Sequence, residues 1–159
     1  MRVIVFSDSH GNVRCMDKAI SSIGDFDAII HLGDLERDVQ YLQKNYGKYP
    51  TYAVLGNNDF FSSRPSEMTV ELGGARLYIC HGHTKGVRSG HTGLIAAAKA
   101  RGCIGALYGH THVPVDINED GILIFNPGSC SQPRRGNPSF GILEIENGKC
   151  QSVIVDWVL

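Results

Sequence analysis

Short apolar runs alternate along this chain with segments whose apolar positions recur every three or four residues, and each run stops at a polar loop. Val3 to Phe6 is the first run. Four apolar residues without alternation suit a strand covered on both faces. Val13, Met16, Ala19, Ile20 and Ile23 then recur at helical spacing, with Gly24 as a stop signal. Ala28 to Ile30 predicts a second strand and Thr51 to Leu55 a third. Between them, Leu35, Val39, Leu42 and Tyr46 mark a second amphipathic helix. The opening is therefore βαβα. Right-handed crossovers keep its strands parallel and bring their ends to one edge of a sheet.

The second half is richer in strands. Met68 to Leu72 and Arg76 to Cys80 flank Gly73-Gly74 and predict a hairpin. Leu94 to Ala100 predicts a helix ended near Gly102, and Ile104 to Tyr108 a short strand. A second hairpin is expected from Val113 to Ile117 and Ile122 to Phe125 around Asn118-Glu119-Asp120-Gly121. After a loop rich in glycine and proline, from Asn126 to Gly136, Phe140 to Ile145 and Val153 to Trp157 close the chain as strands around Asn147-Gly148. Neither linker nor repeat divides the pattern, so residues 1–159 are expected to form a single domain.

Composition narrows the function classes. A net charge of -1 offers no basic field for nucleic acid or anionic lipid. No apolar run approaches the roughly 20 residues needed to cross a bilayer, and the N-terminus lacks the pattern of a signal peptide, so a cytoplasmic protein is expected. The five cysteines show no CxxC spacing and indicate neither a disulfide framework nor a zinc knuckle, and most of them read as small core hydrophobes.

The chemistry lies where the apolar runs end. Asp8 and His10 follow the first run, Asp34 the second and Asn57 the third, while His81, His110 and His112 follow two later runs. In α/β sheets the C-terminal strand edge is the usual ligand site. An isolated Asp-x-His is more often a helix cap beside an ordinary loop residue, but seven such side chains at strand ends need a partner to offset their desolvation. Carboxylate, amide and imidazole donors without thiolate suit divalent manganese, iron or zinc, and seven exceed the needs of one ion. His31 and His91 read as separate, satisfied histidines.

Asp8-Ser9-His10, Gly33-Asp34, Gly56-Asn57-Asn58-Asp59, His81 and Gly109-His110-Thr111-His112 resemble, in order and spacing, the motifs of the calcineurin-like metallophosphoesterases. The small size, His81-Gly82-His83 and Asn126-Pro127-Gly128-Ser129 are most similar to the minimal phosphodiesterases of bacteria and archaea. The resemblance implies an α/β fold, the four-layer αββα sandwich. It implies two divalent metal ions, manganese first, with zinc, iron or nickel as alternatives. It assigns Asp8, His10 and His112 to one ion, Asn57, His81 and His110 to the other, and Asp34 to both. The activity implied is hydrolysis of a small phosphoester by metal-activated water. Oligomeric state is left open, with a homo-oligomer allowed.

The chain departs from the family at Asn58, where many members carry a histidine that assists the leaving group. An amide donates a hydrogen bond but cannot deliver a proton, and such proton transfer contributes typically 10²–10⁴-fold. His83 is the nearest candidate substitute, and Arg134 is a candidate phosphate contact. The alternative function class is a non-catalytic interaction scaffold of the same fold, like the metallophosphoesterase-like subunit of the retromer coat. The complete ligand set favours the enzyme.

Overall fold

The computed structural model describes residues 1–157. In chain order the elements are β1 (Arg2–Phe6), α1 (Val13–Ile23), β2 (Ala28–His31), α2 (Glu36–Asn45), β3 (Thr51–Ala53), β4 (Glu67–Leu72), β5 (Ala75–Cys80), α3 (Thr92–Ala100), β6 (Gly105–Leu107), β7 (Val115–Glu119), β8 (Ile122–Asn126), β9 (Ser139–Glu146) and β10 (Lys149–Asp156). They form two mixed five-stranded sheets, ordered β10-β9-β1-β2-β3 and β4-β5-β6-β8-β7. The pairs β1/β2 and β2/β3 are parallel in the first sheet, and β5/β6 and β6/β8 in the second.

Side-chain parity explains the unbroken apolar runs. Val3 and Val5 of β1 face the layer between the sheets with Ala28, Ile30, Leu77, Ile79, Leu107 and Phe125. Ile4 and Phe6, one step out of phase, pack with Ile29 against Met16 and Ala19 of α1 and Leu42 of α2. On the far side, Tyr78 and Cys80 of β5 and Ile124 of β8 meet Leu94, Ile95 and Ala98 of α3. Successive side chains of a strand point to opposite faces, so a strand with two covered faces needs apolar residues throughout. Three apolar layers separate four layers of secondary structure, the αββα sandwich that the resemblance implied.

All three hairpins close on two residues with positive φ: Gly73-Gly74, Asp120-Gly121 and Asn147-Gly148. That is the conformation of a type I′ turn, whose twist matches that of the flanking strands. β3 is shorter than expected because the Leu55 amide leaves the ladder and donates to the Pro65 carbonyl. β7 starts at Val115 rather than Val113 because Pro114 has no N–H and Val113 donates to the Thr111 hydroxyl. One expectation is corrected: Cys15 and Cys130 are joined as a disulfide between α1 and the loop after β8, with Cα atoms 5.8 Å apart. They lie 115 residues apart in sequence, so packing rather than spacing pairs them. Cys80 and Cys103 are buried thiols.

Candidate metal centre

The sheets stack so that the C-terminal ends of β1, β2 and β3 meet those of β5 and β6. Asp8 and His10 follow β1, Asp34 follows β2, Asn57 follows β3, His81 follows β5, and His110 and His112 follow β6. Among the described residues eight non-glycine residues have positive φ, and five belong to this set: Asp8, His10, Asp34, His110 and His112. The left-handed region costs of order 1–3 kcal/mol at such positions and persists only where surrounding structure enforces it. Here the backbone turns sharply at each strand end to aim a side chain inward.

Their polar atoms converge. Asp8 Oδ1 lies 3.2 Å from His112 Nε2, 3.9 Å from His81 Nε2 and 4.0 Å from His10 Nε2. Asp34 Oδ2 lies 3.6 Å from His81 Nε2 and 3.9 Å from His10 Nε2. Asn57 Oδ1 completes the cluster, 3.1 Å from His81 Nε2 and 2.9 Å from His110 Nδ1. Two groups are compact enough to enclose a metal ion, Asp8-His10-His112 and Asp8-Asp34-His81. Asp8 is common to both, and Asp34 Oδ2 stands between the histidines of the two groups. The geometry thus gives Asp8 as central a position as Asp34, whereas the resemblance assigned it to one ion alone.

The donors suit divalent metal. Asp8 is fully buried, and its Oδ2 accepts hydrogen bonds from Ser7 Oγ (2.5 Å) and the His110 amide (3.0 Å). Its Oδ1 is buried without a hydrogen-bond partner and points into the cluster. An unpartnered buried carboxylate oxygen is costly unless a cation answers it. His81 Nδ1 donates to the Leu32 carbonyl and His112 Nδ1 to the Gln132 carbonyl, both at 2.7 Å, which leaves each Nε2 facing inward with a free lone pair when the ring is neutral. Burial raises the Asp8 carboxyl, but the adjacent His112 ring and the charge of His81 bring it below its ordinary range. The Asp8 carboxylate in turn raises the His112 pKa. Burial, followed by the charge of His81, lowers that of His110.

A second set of buried and half-buried groups holds the loops in place, and motif reading did not single it out. Ser9 Oγ donates to Asp38 Oδ2 (2.6 Å) and lies 2.9 Å from His31 Nε2, while Gly11 N donates to the same Asp38 oxygen (2.7 Å). Asp59 accepts from the amides of Gly56 (2.7 Å), Asp34 (3.1 Å) and Glu36 (2.5 Å), tying the loop after β3 to the one after β2. Ser129 and Ser131 donate to the Asp8 carbonyl, and Asn126 donates to the Gly109 carbonyl. Gly109 lets the loop after β6 pass directly over Ser7 Oγ and Asp8 Oδ2, where a β-carbon would collide. The Gly-Asn-Asn-Asp and Asn-Pro-Gly-Ser strings were visible in sequence, but not which neighbouring loops they grip.

The remaining candidates are placed differently. Asn58 donates through its side-chain amide to Asp34 Oδ2 (2.6 Å) and through its backbone to Asp34 Oδ1 (3.0 Å). His83 is exposed, its ring 5.5 Å from that of His81 and 6.2 Å from that of His110. Burial, then the charge of His81, lowers its pKa. Arg134 is exposed on the loop after β8, and its backbone amide donates to the His112 carbonyl. His31 lies in the supporting network, and His91 pairs with Glu119 at 2.7 Å. No helix among the described residues is long and apolar enough to cross a membrane.

Residues 1–148 match the model of the calcineurin-like phosphoesterase superfamily domain. The chain is similar to the probable metallophosphoesterase YsnB of Bacillus subtilis, 30% identical over 92% of this chain and 86% of the relative. Similarity extends to phosphodiesterase MJ0936 of Methanocaldococcus jannaschii, 27% identical over 98% of this chain and all of the relative. Among solved structures, a predicted phosphoesterase from Streptococcus pneumoniae superposes with a TM-score of 0.82 at 31% identity, over 98% of this chain and 88% of that one.

Proposed function

The chain belongs to the calcineurin-like phosphoesterase superfamily, and on that premise we propose that residues 1–159 form one domain that hydrolyses small phosphodiesters at a dinuclear metal site. Asp8, His10 and His112 would hold one ion, Asn57, His81 and His110 the other, with Asp34 facing both. Manganese is the ion we assign, and a cytoplasmic location goes with the reading. The observation that carries it is the buried, unpartnered Asp8 Oδ1 ringed by inward-facing imidazole nitrogens. A scaffold of the same fold would have no use for that costly arrangement.

What the ions supply when bound is Lewis acidity toward phosphoryl oxygens and a water acidic enough to ionise near neutral pH. The chain's own residues set geometry and proton traffic. The Leu32 and Gln132 carbonyls fix the orientation of His81 and His112, so little reorganisation remains when a substrate arrives. Asn58 offers an amide beside Asp34 and can steady an oxygen by hydrogen bonding, but it holds no proton to give. The leaving oxygen then departs with most of its charge, which favours acidic leaving groups such as phenols. His83 is a titratable side chain outside the proposed ligand set, its ring 5.5 Å from that of His81, and burial lowers its pKa. Arg134 would bring a cation to the substrate phosphate from the loop after β8.

The test is hydrolysis of bis(4-nitrophenyl) phosphate by metal-stripped protein reconstituted in parallel with manganese, zinc, iron and nickel, together with a count of bound ions. The expected result is activity restored by manganese at two ions per chain. Restored protein that binds two ions and cleaves no phosphoester would overturn the proposal.

A further inference from the structure

Beside the metal cluster lies a shallow, open surface depression of about 270 Å³ lined by Leu35, Glu36, Arg37, Asn58, Asp59 and Phe60. It adjoins the cluster directly, since Asn58 bonds both oxygens of Asp34. Its walls are chemically distinct. Phe60 stands 74% exposed, and the next residue, Phe61, is fully exposed with φ at +64°. The Arg37 guanidinium lies over Gly11, one residue from His10, where a β-carbon would overlap it. Its side chain is 70% exposed, with Asp38 Oδ1 3.7 Å away.

Two adjacent phenylalanines in solvent would ordinarily signal a loose loop, yet this loop is held at both ends. Asp59 anchors it through three backbone amides, and Arg64 grips Glu36 with two hydrogen bonds of 2.8 Å. Phe61 occupies a backbone region that bulky residues rarely adopt. The result is an anchored loop whose exposed Phe60 lines, together with Arg37, the depression that opens beside Asp34. A ring face and a planar cation together select a flat, polarisable group.

We propose that Phe60 and Arg37 form a specificity subsite for a planar aromatic or heteroaromatic group carried by the phosphoester, such as a nucleobase. The inference rests on the phosphoesterase reading and names the substrate class for the same site. Phe60 supplies the stacking face and Arg37 the opposing wall, while the phosphate sits at the metal cluster.

The experiment compares calorimetric affinities of adenosine 5′-monophosphate and ribose 5-phosphate for the manganese-loaded protein. Both probes carry one phosphate on the same sugar carbon, and one lacks the base. Stacking of a base on an aromatic side chain corresponds to roughly a tenfold or larger gain in affinity. The wild type should prefer the nucleotide by about that factor; Phe60→Ala should abolish the preference, Phe60→Tyr should retain it, and Arg37→Lys should reduce it. Because Phe60 is exposed, its removal leaves no core cavity. Equal affinities for the two probes in a wild type that cleaves bis(4-nitrophenyl) phosphate would overturn the subsite alone. A preference that survives in Phe60→Ala would also overturn it. A wild type that neither binds the phosphates nor hydrolyses the diester would remove the phosphoesterase reading as well.

Discussion

Asp8 and Asp34 illustrate how much one buried carboxylate can organise. Asp34 is 2% exposed, accepts two hydrogen bonds from Asn58 and stands between His10 and His81. Replacing it by asparagine removes one charge from a place that faces both proposed ions. Activity should fall by more than about a hundredfold, and affinity for both ions should drop. Metal titration checks this, and an Asp34→Asn protein that keeps two ions at wild-type affinity would refute it. Asn58 carries a separate expectation. In the wild type, log rate on a series of aryl diesters should fall steeply with leaving-group pKa, and Asn58→His should flatten that slope by restoring a proton donor. If His83 already supplies the proton, His83→Ala should steepen the slope and Asn58→His should alter it little.

The loop between β3 and β4 shows how an element is held from outside itself. It contains no regular structure between Ala53 and Glu67, yet Asp59 and the Glu36–Arg64 pair fasten it to the start of α2. The hydrogen bond and charge of Arg64 lower the Glu36 pKa from 4.5, with burial acting in the opposite direction. With a folded value below the unfolded one, the unfolded chain binds more protons in that interval. The contribution is complete above the unfolded value and is lost as pH falls through the folded value. Glu36→Gln should therefore be less stable than wild type at pH 7, and the difference should shrink at about pH 3. Urea midpoints at the two pH values decide it, and a constant difference would show that Glu36 acts without its charge.

At the scale of the molecule, the sandwich draws five strand ends from two sheets to one point, so metal binding and folding are linked. The separate donors lie far apart in the unfolded chain, and a ligand that binds only the folded state stabilises it by RT ln(1 + [L]/Kd). Manganese at a hundred times Kd should add about 2.7 kcal/mol per independent site, or roughly 5–10 °C in melting temperature for a domain of this size. A melting temperature unmoved by millimolar manganese in metal-free protein would contradict the site.

The order and type of nearly every element are written in local pattern. A strand covered on both faces must be apolar throughout, and a type I′ turn needs residues that tolerate positive φ, so Val3 to Phe6 and the Gly-Gly, Asp-Gly and Asn-Gly pairs report directly on the backbone. The members of the candidate cluster were equally legible, because Asp8, His10, Asp34, Asn57, His81, His110 and His112 each follow an apolar run. Other features depend on contacts between distant parts of the chain. Asp8 is shared by both clusters, Asn58 turns to Asp34, and Asp59 ties two loops together. Cys15 reaches Cys130, and Phe60 lines an open depression with Arg37. None of these follows from spacing. Which atoms meet across 23 to 115 residues is set by how the two sheets stack, and that stacking is a property of the whole core, carried by no local stretch of sequence.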